Sequence, residues 1–199
     1  PGHEEFLELI SKVAAEKGNT YFVFDRGDTA KISECCRLSF KLEYSDFQDA
    51  KEPWRMRYSA IQNVTVNLPR IAYVSKGADA ELFKQIEAKL EVAALAHKEK
   101  RKFIELLLKE GASGPLAMLA EKRDGESYLR LRRVTHLVGI LGLNELVQFH
   151  TGKELHADAQ AMRFGLKVIS FMKFKCEALS EKYDIHLVLE QTPAESTAY

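Results

Sequence analysis

The sequence lacks three features that would place the protein in a specialised class. Its 29 basic residues balance its 29 acidic residues and the two signs are interleaved, so no net charge draws the chain to nucleic acid or to an anionic membrane. No uncharged apolar run approaches the ~18 residues that cross a bilayer, and the amino terminus carries acidic residues where a signal peptide carries basic ones. We therefore expect a cytoplasmic protein whose main partner is neither nucleic acid nor a membrane.

Cysteine is also scarce. The chain has three cysteines, and two of them, Cys35 and Cys36, are adjacent. A disulfide between adjacent cysteines closes only a strained ring, and with three cysteines at least one thiol stays unpaired. A disulfide framework is therefore excluded. Reduced thiols in a reducing compartment are the simpler interpretation, which leaves open why two thiols stand side by side.

The residues that are present predict an α/β domain. Hydrophobic residues make up 46% of the chain, which is enough for one or two ordinary cores. Apolar residues at helical spacing predict helices over residues 4–17, 79–110, and about 156–182, and 132–152 is typical of a strand, a turn and a short helix. Strand-like composition covers residues 20–26, 35–44, 63–74 and 185–191. Long helices between strands favour a fold with crossover connections, and no linker divides the chain.

The last residues predict a helix that is only beginning. The strand pattern runs into Thr192-Pro193-Ala194-Glu195, which combines a capping box with proline at the first helical position. The sequence stops at Tyr199, about two turns later at ~3.6 residues per turn. We therefore expect this chain to be a piece of a longer protein.

The same helix start has two interpretations. Its unpaired backbone N–H groups and its dipole can form an anion site, to which Thr192, Ser196 and Thr197 add hydroxyl donors. In the simpler interpretation, Thr192 and Glu195 only cap the helix. A capping glutamate folds back and would crowd a bound phosphate, so the two interpretations require different orientations of Glu195.

Four segments, in order, resemble a known family. They are CCRL (35–38), TVNLPRIAY (65–73), VGILGLNELVQFHTG (138–152) and LEQTPAESTAY (189–199). Together they resemble the catalytic half of the anaerobic, class III ribonucleoside-triphosphate reductases, which are glycyl-radical enzymes. The resemblance runs from about residue 20 to the end. It implies that residues 1–199 are one segment, roughly the second half, of a ten-stranded α/β barrel, with the nucleotide-sensing and glycyl-radical/zinc regions outside this chain.

The resemblance also implies an activity and its residues. These enzymes reduce ribonucleoside triphosphates to 2′-deoxyribonucleotides by a thiyl/glycyl radical mechanism. Their radical cysteine precedes an arginine, which here is Cys36, or Cys35 if the register is off by one. Glu195 would act as acid or base at the ribose. The triphosphate would be held by Thr192, Ala194, Ser196 and Thr197.

Cofactors and partners follow from the same resemblance. We expect no metal or cofactor in this chain, which should be inactive alone, whereas the full-length protein should carry a glycyl radical and a structural zinc. Its partners would be substrate and effector nucleotides, an iron–sulfur, S-adenosylmethionine-dependent activase, a second copy in a homodimer, and a reductant. Ala60 stands where many formate-using members carry asparagine, so a thiol protein is at least as plausible a reductant as formate.

Two alternatives remain open at this stage. One is another glycyl-radical enzyme, such as a pyruvate formate-lyase-like acyltransferase, which also uses adjacent cysteines. The other is a non-catalytic α/β interaction domain in which the cysteines and the capped helix are structural. Elsewhere, Cys176 is expected in the core, and His150 and His156 are expected to flank a solvated turn rather than to bind a metal.

Overall fold

A computed structural model describes residues 2–17, 31–33, 39–41 and 51–192. The chain divides into two compact units, residues 1–48 and 49–199. In the first unit, helix α1 spans Glu4–Lys17 as its apolar spacing predicts, and strands β1 (Lys31–Ser33) and β2 (Ser39–Lys41) pair antiparallel. The predicted strand over residues 20–26 lies outside the described residues, and β2 falls within the predicted strand 35–44.

The second unit contains the longer helices and a parallel sheet. Its elements are, in chain order, β3 (Ser59–Asn67), α2 (Leu68–Ser75), α3 (Asp79–Lys109), α4 (Ala117–Ala120), β4 (Lys122–Arg123), β5 (Glu126–Ser127), β6 (Val134–Leu141), α5 (Leu143–Thr151), α6 (Ala159–Tyr183) and β7 (His186–Gln191). Short 3-10 turns occupy Pro53–Arg55, Gly111–Ser113 and Leu131–Arg133. The long helices predicted at 79–110 and 156–182 are therefore confirmed to within a few residues.

Strands β3, β6 and β7 form one parallel sheet with β6 in the middle. In its register, Gly139 of β6 lies opposite Thr65 on one side and opposite Glu190 on the other. Each strand is separated in sequence from its neighbour by helices, because parallel strands need a crossover connection. The predicted α/β class with crossover connections is confirmed.

One face of this sheet packs into the hydrophobic core. Val66, Val138 and Leu187 are each no more than 5% exposed and join one apolar cluster with residues of α3 and α6. Cys176 of α6 belongs to this cluster, as predicted, and burial raises the pKa of its thiol to about 11, so it stays protonated at neutral pH. Among the helices of the described residues, none has both the length and the apolar composition that a membrane span requires.

The predicted strand over residues 63–74 is wrong in its second half. The strand ends at Asn67, and Leu68–Ser75 form helix α2. The Asn67 side chain accepts a hydrogen bond from the Arg70 backbone N–H at 3.0 Å, which caps the helix, and Pro69 sits in the first turn, where its missing N–H costs nothing. This cap outweighs the β-branched composition of the segment.

A charged network holds the hairpin β4–β5 near the amino ends of β3 and β6. Asp124, in the hairpin turn, accepts hydrogen bonds from Arg57 at 2.8 Å and from Arg130 at 3.3 Å. The Arg133 guanidinium donates to the backbone carbonyl of Met56 at 2.8 Å. Because the side chains of Arg57 and Arg130 are at most 7% exposed, these charges are paired away from bulk water and anchor the hairpin.

Candidate active site

The second face of the parallel sheet is polar toward the carboxyl ends of its strands. Five residues lie together there, and we call them the polar patch: Asn63, Thr65, Gly139, Glu190 and Thr192. Side chains alternate between faces along a strand, so these residues point away from Val66, Val138 and Leu187. The sheet β3–β6–β7 therefore packs against the core with one face and presents a cluster of hydrogen-bonding groups on the other.

Two hydrogen bonds of the polar patch cross the middle strand. The Asn63 amide nitrogen donates to Glu190 Oε1 at 2.6 Å, and the hydroxyl oxygens of Thr65 and Thr192 lie 2.9 Å apart. The outer strands β3 and β7 are not neighbours, and two strand spacings separate them by about 10 Å. Side chains can bridge that gap only if the strand between them leaves the space free.

Gly139 leaves that space free. A Cβ atom at this position would lie 2.0 Å from Thr192 Oγ1 and 2.6 Å from Asn63 Oδ1, which is too close for either contact to exist. Any larger residue would therefore displace the bridging side chains. Glycine inside a strand is often the mark of such a close approach.

The polar patch is rich in hydrogen-bond acceptors. Glu190 contributes a half-buried carboxylate, and Asn63 Oδ1 is shielded from solvent with no hydrogen-bond donor among the residues that the structure describes. A buried acceptor without a donor is unfavourable, so the site favours a ligand that brings donors. Vicinal hydroxyl groups, such as those of a sugar, meet this requirement.

Thr192 is the predicted site residue that the structure places in the polar patch. Its backbone N–H donates to the Ile140 carbonyl at 3.1 Å, which continues the pairing of β7 with β6. The other predicted site residues lie outside the described residues: Cys35, Cys36, Ala194, Glu195, Ser196 and Thr197.

The sequence interpretation missed four members of the polar patch. Asn63 and Thr65 alternate with Val64 and Val66, and this period-two pattern marks a strand with one polar and one apolar face. Glu190 is likewise a charged residue in an otherwise apolar strand. Both signals were present in the sequence, but neither shows that the two strands lie on opposite sides of Gly139.

A pair of buried histidines lies on the core side of the sheet. His97 Nε2 donates to the Leu137 carbonyl at 2.9 Å, and His136 Nδ1 donates to the His186 carbonyl at 3.3 Å. Both rings are fully buried and their centroids lie 5.3 Å apart. Burial, together with the neighbouring His97, lowers the pKa of His136 to about 4, and burial also lowers the pKa of His97. Both rings are therefore neutral at pH 7, and they pack as part of the buried interior.

His150 and His156 lie at the turn that follows α5, and the side chain of His150 is itself shielded from solvent. It is 5% exposed, its Nε2 donates to the Asp79 carboxylate at 2.7 Å, and its ring stacks on Phe164 at 4.8 Å between centroids. This hydrogen bond is the main reason why the pKa of Asp79 is lowered. His156, in contrast, is 78% exposed, beside Glu154.

Solved structures with a similar fold include an anaerobic ribonucleotide reductase from Thermotoga maritima. A crystal structure of the anaerobic ribonucleotide reductase from Thermotoga maritima with citrate in the active site matches 71% of this chain at 22% identity, with a TM-score of 0.61. The same reductase in complex with dATP and CTP matches at 22% identity over 71% of this chain and 23% of its own, with a TM-score of 0.59. At this identity the likeness concerns the fold.

The match covers only part of the relatives. This chain spans about a quarter of the first of those reductase chains, 26%. Comparison with curated proteins found no match. The family model described as anaerobic ribonucleoside-triphosphate reductase matches residues 2–199, and the chain belongs to that family.

Proposed function

We propose that this chain is a segment of the catalytic barrel of an anaerobic ribonucleoside-triphosphate reductase, which converts ribonucleoside triphosphates into 2′-deoxyribonucleoside triphosphates. The observation that carries the proposal is the family match over residues 2–199. A parallel sheet whose polar patch is rich in acceptors supports it. The family match favours this activity over an acyltransferase of the pyruvate formate-lyase type and over a non-catalytic domain.

The polar patch is suited to the sugar of the substrate. Ribose hydroxyls can donate to the Glu190 carboxylate and to Asn63 Oδ1, the buried acceptor that otherwise has no donor in the described part of the chain. The triphosphate would then lie against the segment that begins at Thr192. There the backbone N–H groups and the hydroxyls of Ser196 and Thr197 would offer donors to an anion.

Cys36 and Glu195 would perform the chemistry. A thiyl radical on Cys36 takes the hydrogen atom from C3′ of the ribose, which forms an S–H bond and leaves the unpaired electron on the sugar. The two bonds are of similar strength, so the hydrogen can later return. Glu195 accepts the 3′-hydroxyl proton and passes it to the 2′-hydroxyl, which then leaves as water. A reductant, either a thiol protein or formate, supplies the two electrons.

The remainder of the protein would supply the other parts. The family's glycyl radical, which the iron–sulfur, S-adenosylmethionine-dependent activase generates, provides the unpaired electron that the cysteine uses. We propose that residues 1–199 contribute one segment to a ten-stranded barrel, that two copies form a cytoplasmic homodimer, and that a structural zinc lies outside this chain. The complex of the Thermotoga maritima reductase with dATP and CTP supports nucleotides as substrate and effector.

The test is substitution of Cys36 in the full-length, activated protein. Cys36→Ser should reduce turnover below detection while the protein binds nucleotide and melts as before, because a hydroxyl O–H bond is too strong for reversible hydrogen transfer. Cys35→Ser is the matched control, and it should remain active. Turnover by Cys36→Ser would refute the assignment, and an inactive Cys35→Ser beside an active Cys36→Ser would move the role by one residue.

A further inference from the structure

We propose that Thr65 is a positioning residue for Thr192, whose side chain it holds through the hydroxyl contact over Gly139. This inference rests on the proposed function, because it concerns the same site. Thr65, in β3, is 127 residues from Thr192 in sequence, and no sequence motif contains both residues. The structure brings them together because both flank the one position on β6 that has no side chain.

Thr192 is held from two directions. Its backbone N–H donates to the Ile140 carbonyl of the middle strand at 3.1 Å, which fixes the main chain. Its hydroxyl lies 2.9 Å from the hydroxyl of Thr65 on the far strand, which fixes the side chain. The first contact continues the sheet pairing, whereas the second is specific to a hydroxyl at position 65.

The position of Thr65 favours a role in the site over a role in folding. Thr65 is exposed, and it lies on the face opposite the apolar cluster formed by Val66, Val138 and Leu187. An exposed hydrogen bond contributes little to the free energy of folding, because water replaces it in the unfolded chain. Loss of this hydroxyl should therefore leave the fold intact.

Loss of the same hydroxyl should affect the reaction. Thr192 begins the segment to which the proposed function assigns the catalytic base, so loss of its anchor should disturb the placement of that base. Misplacement of a catalytic group by about 1 Å can cost as much as ~100-fold in rate. A loosened Thr192 should therefore lower kcat more than it weakens nucleotide binding, which depends on several donors.

The experiment compares two substitutions of Thr65 in the full-length, activated protein. Thr65→Val keeps the shape of the side chain and removes the hydroxyl, so kcat for ribonucleoside triphosphate reduction should fall by about tenfold, with the nucleotide Kd changed less than ~threefold. Thr65→Ser keeps the hydroxyl and should retain kcat within ~twofold of the wild type. Rescue by serine distinguishes the hydroxyl from the bulk of the side chain.

Two further variants keep the test specific. Thr135→Val makes the same chemical change on the same sheet face, where Thr135 contacts His186 at 3.3 Å, and it should leave kcat unchanged. In Gly139→Ala the added methyl group would displace the Thr192 side chain, so this substitution should also lower kcat. Its effect should not add to that of Thr65→Val, because both act through one residue.

Each outcome has a defined meaning. If the wild-type protein reduces nucleotides and Thr65→Val retains full kcat, the positioning role is wrong while the proposed function stands. A loss in Thr65→Ser equal to that in Thr65→Val would also overturn the role, as would an equal loss in Thr135→Val. If the activated wild-type protein reduces no ribonucleoside triphosphate, the proposed function itself fails.

Discussion

The two faces of the sheet β3–β6–β7 are made from alternate residues of the same strands, and they differ in how they fill space. On the core face, Val66, Val138 and Leu187 fill it with apolar volume and are at most 5% exposed. On the other face, Gly139 leaves space empty, and the side chains of the outer strands meet across it. The core face secures the strands, and the polar face uses their fixed spacing to place hydrogen-bonding groups.

This difference predicts that stability and activity can be changed separately. Apolar burial contributes in proportion to the area removed from water, so truncation on the core face should cost stability. Half-exposed hydrogen bonds contribute little net free energy to folding, so changes on the polar face should leave melting nearly intact. The variants below test this separation.

The largest effect is expected on the core face of β7. Leu187→Ala should lower the free energy of unfolding by about 2–5 kcal/mol, because the side chain is 5% exposed and belongs to the main apolar cluster. Denaturant unfolding of the protein measures this. Lys173→Ala, an exposed site on α6, is the control and should stay within ~0.5 kcal/mol. A Leu187→Ala variant as stable as that control would contradict the packing of this face.

Glu195→Gln tests the residue for which the two sequence interpretations disagree. As a catalytic base, Glu195 cannot be replaced by glutamine, so turnover should fall by ~100-fold with nucleotide affinity roughly preserved. As a helix cap only, the variant should cost at most ~1 kcal/mol of stability and turn over normally. Single-turnover reduction by the full-length, activated protein, together with thermal melting, decides between them. Normal values for both would remove Glu195 from the site.

Acid should destabilise the core face through its buried histidine. The pKa of His136 is lowered from 6.5 to about 4, so the folded state prefers the neutral ring. Its contribution is fully present above pH ~6.5 and is lost as pH falls toward the folded pKa, by about 2 kcal/mol at pH ~5. Unfolding measured across this range should show the loss. His136→Gln should flatten the profile, whereas His156→Gln, at an exposed site, should not; equal profiles for all three proteins would contradict the prediction.

The smallest effect is expected at Glu190. Glutamine retains an oxygen that can accept the hydrogen bond of the Asn63 amide, now 2.6 Å from Glu190 Oε1, so Glu190→Gln should change the free energy of unfolding by less than ~1 kcal/mol. Thermal melting beside the wild type checks this. A loss of unfolding free energy as large as that of Leu187→Ala would show that the polar face also stabilises the fold, and the two faces would then not differ in this respect.

Local patterns in the sequence predicted much of the fold. The helical spacing of apolar residues is a short-range signal, and it located α3 and α6 correctly. Strand-like composition mispredicts helix α2, because the cap at Asn67 and not the composition determines where the strand ends. Such errors arise where two local signals conflict.

The candidate site was less predictable because it is not local. Thr192 was found from the motif that it begins, but Asn63 and Glu190 become partners only through the register of three strands. Register depends on how the core face packs, so no short segment contains it. A glycine within a strand, such as Gly139, indicates a close approach of other groups. The sequence around it does not show that these groups are Asn63 and Thr192, which lie far away in the chain.

The strand order has a consequence for synthesis. Every pairing in the parallel sheet joins strands that are separated by helices, and the polar patch draws on residues from Asn63 to Thr192. A ribosome releases β3 first and β7 last, so the sheet gains its third strand only after α6 has emerged. Non-local pairing of this kind folds slowly. During translation the core can begin to assemble around α3 and β6, whereas the bridge over Gly139 forms only after Thr192 has emerged.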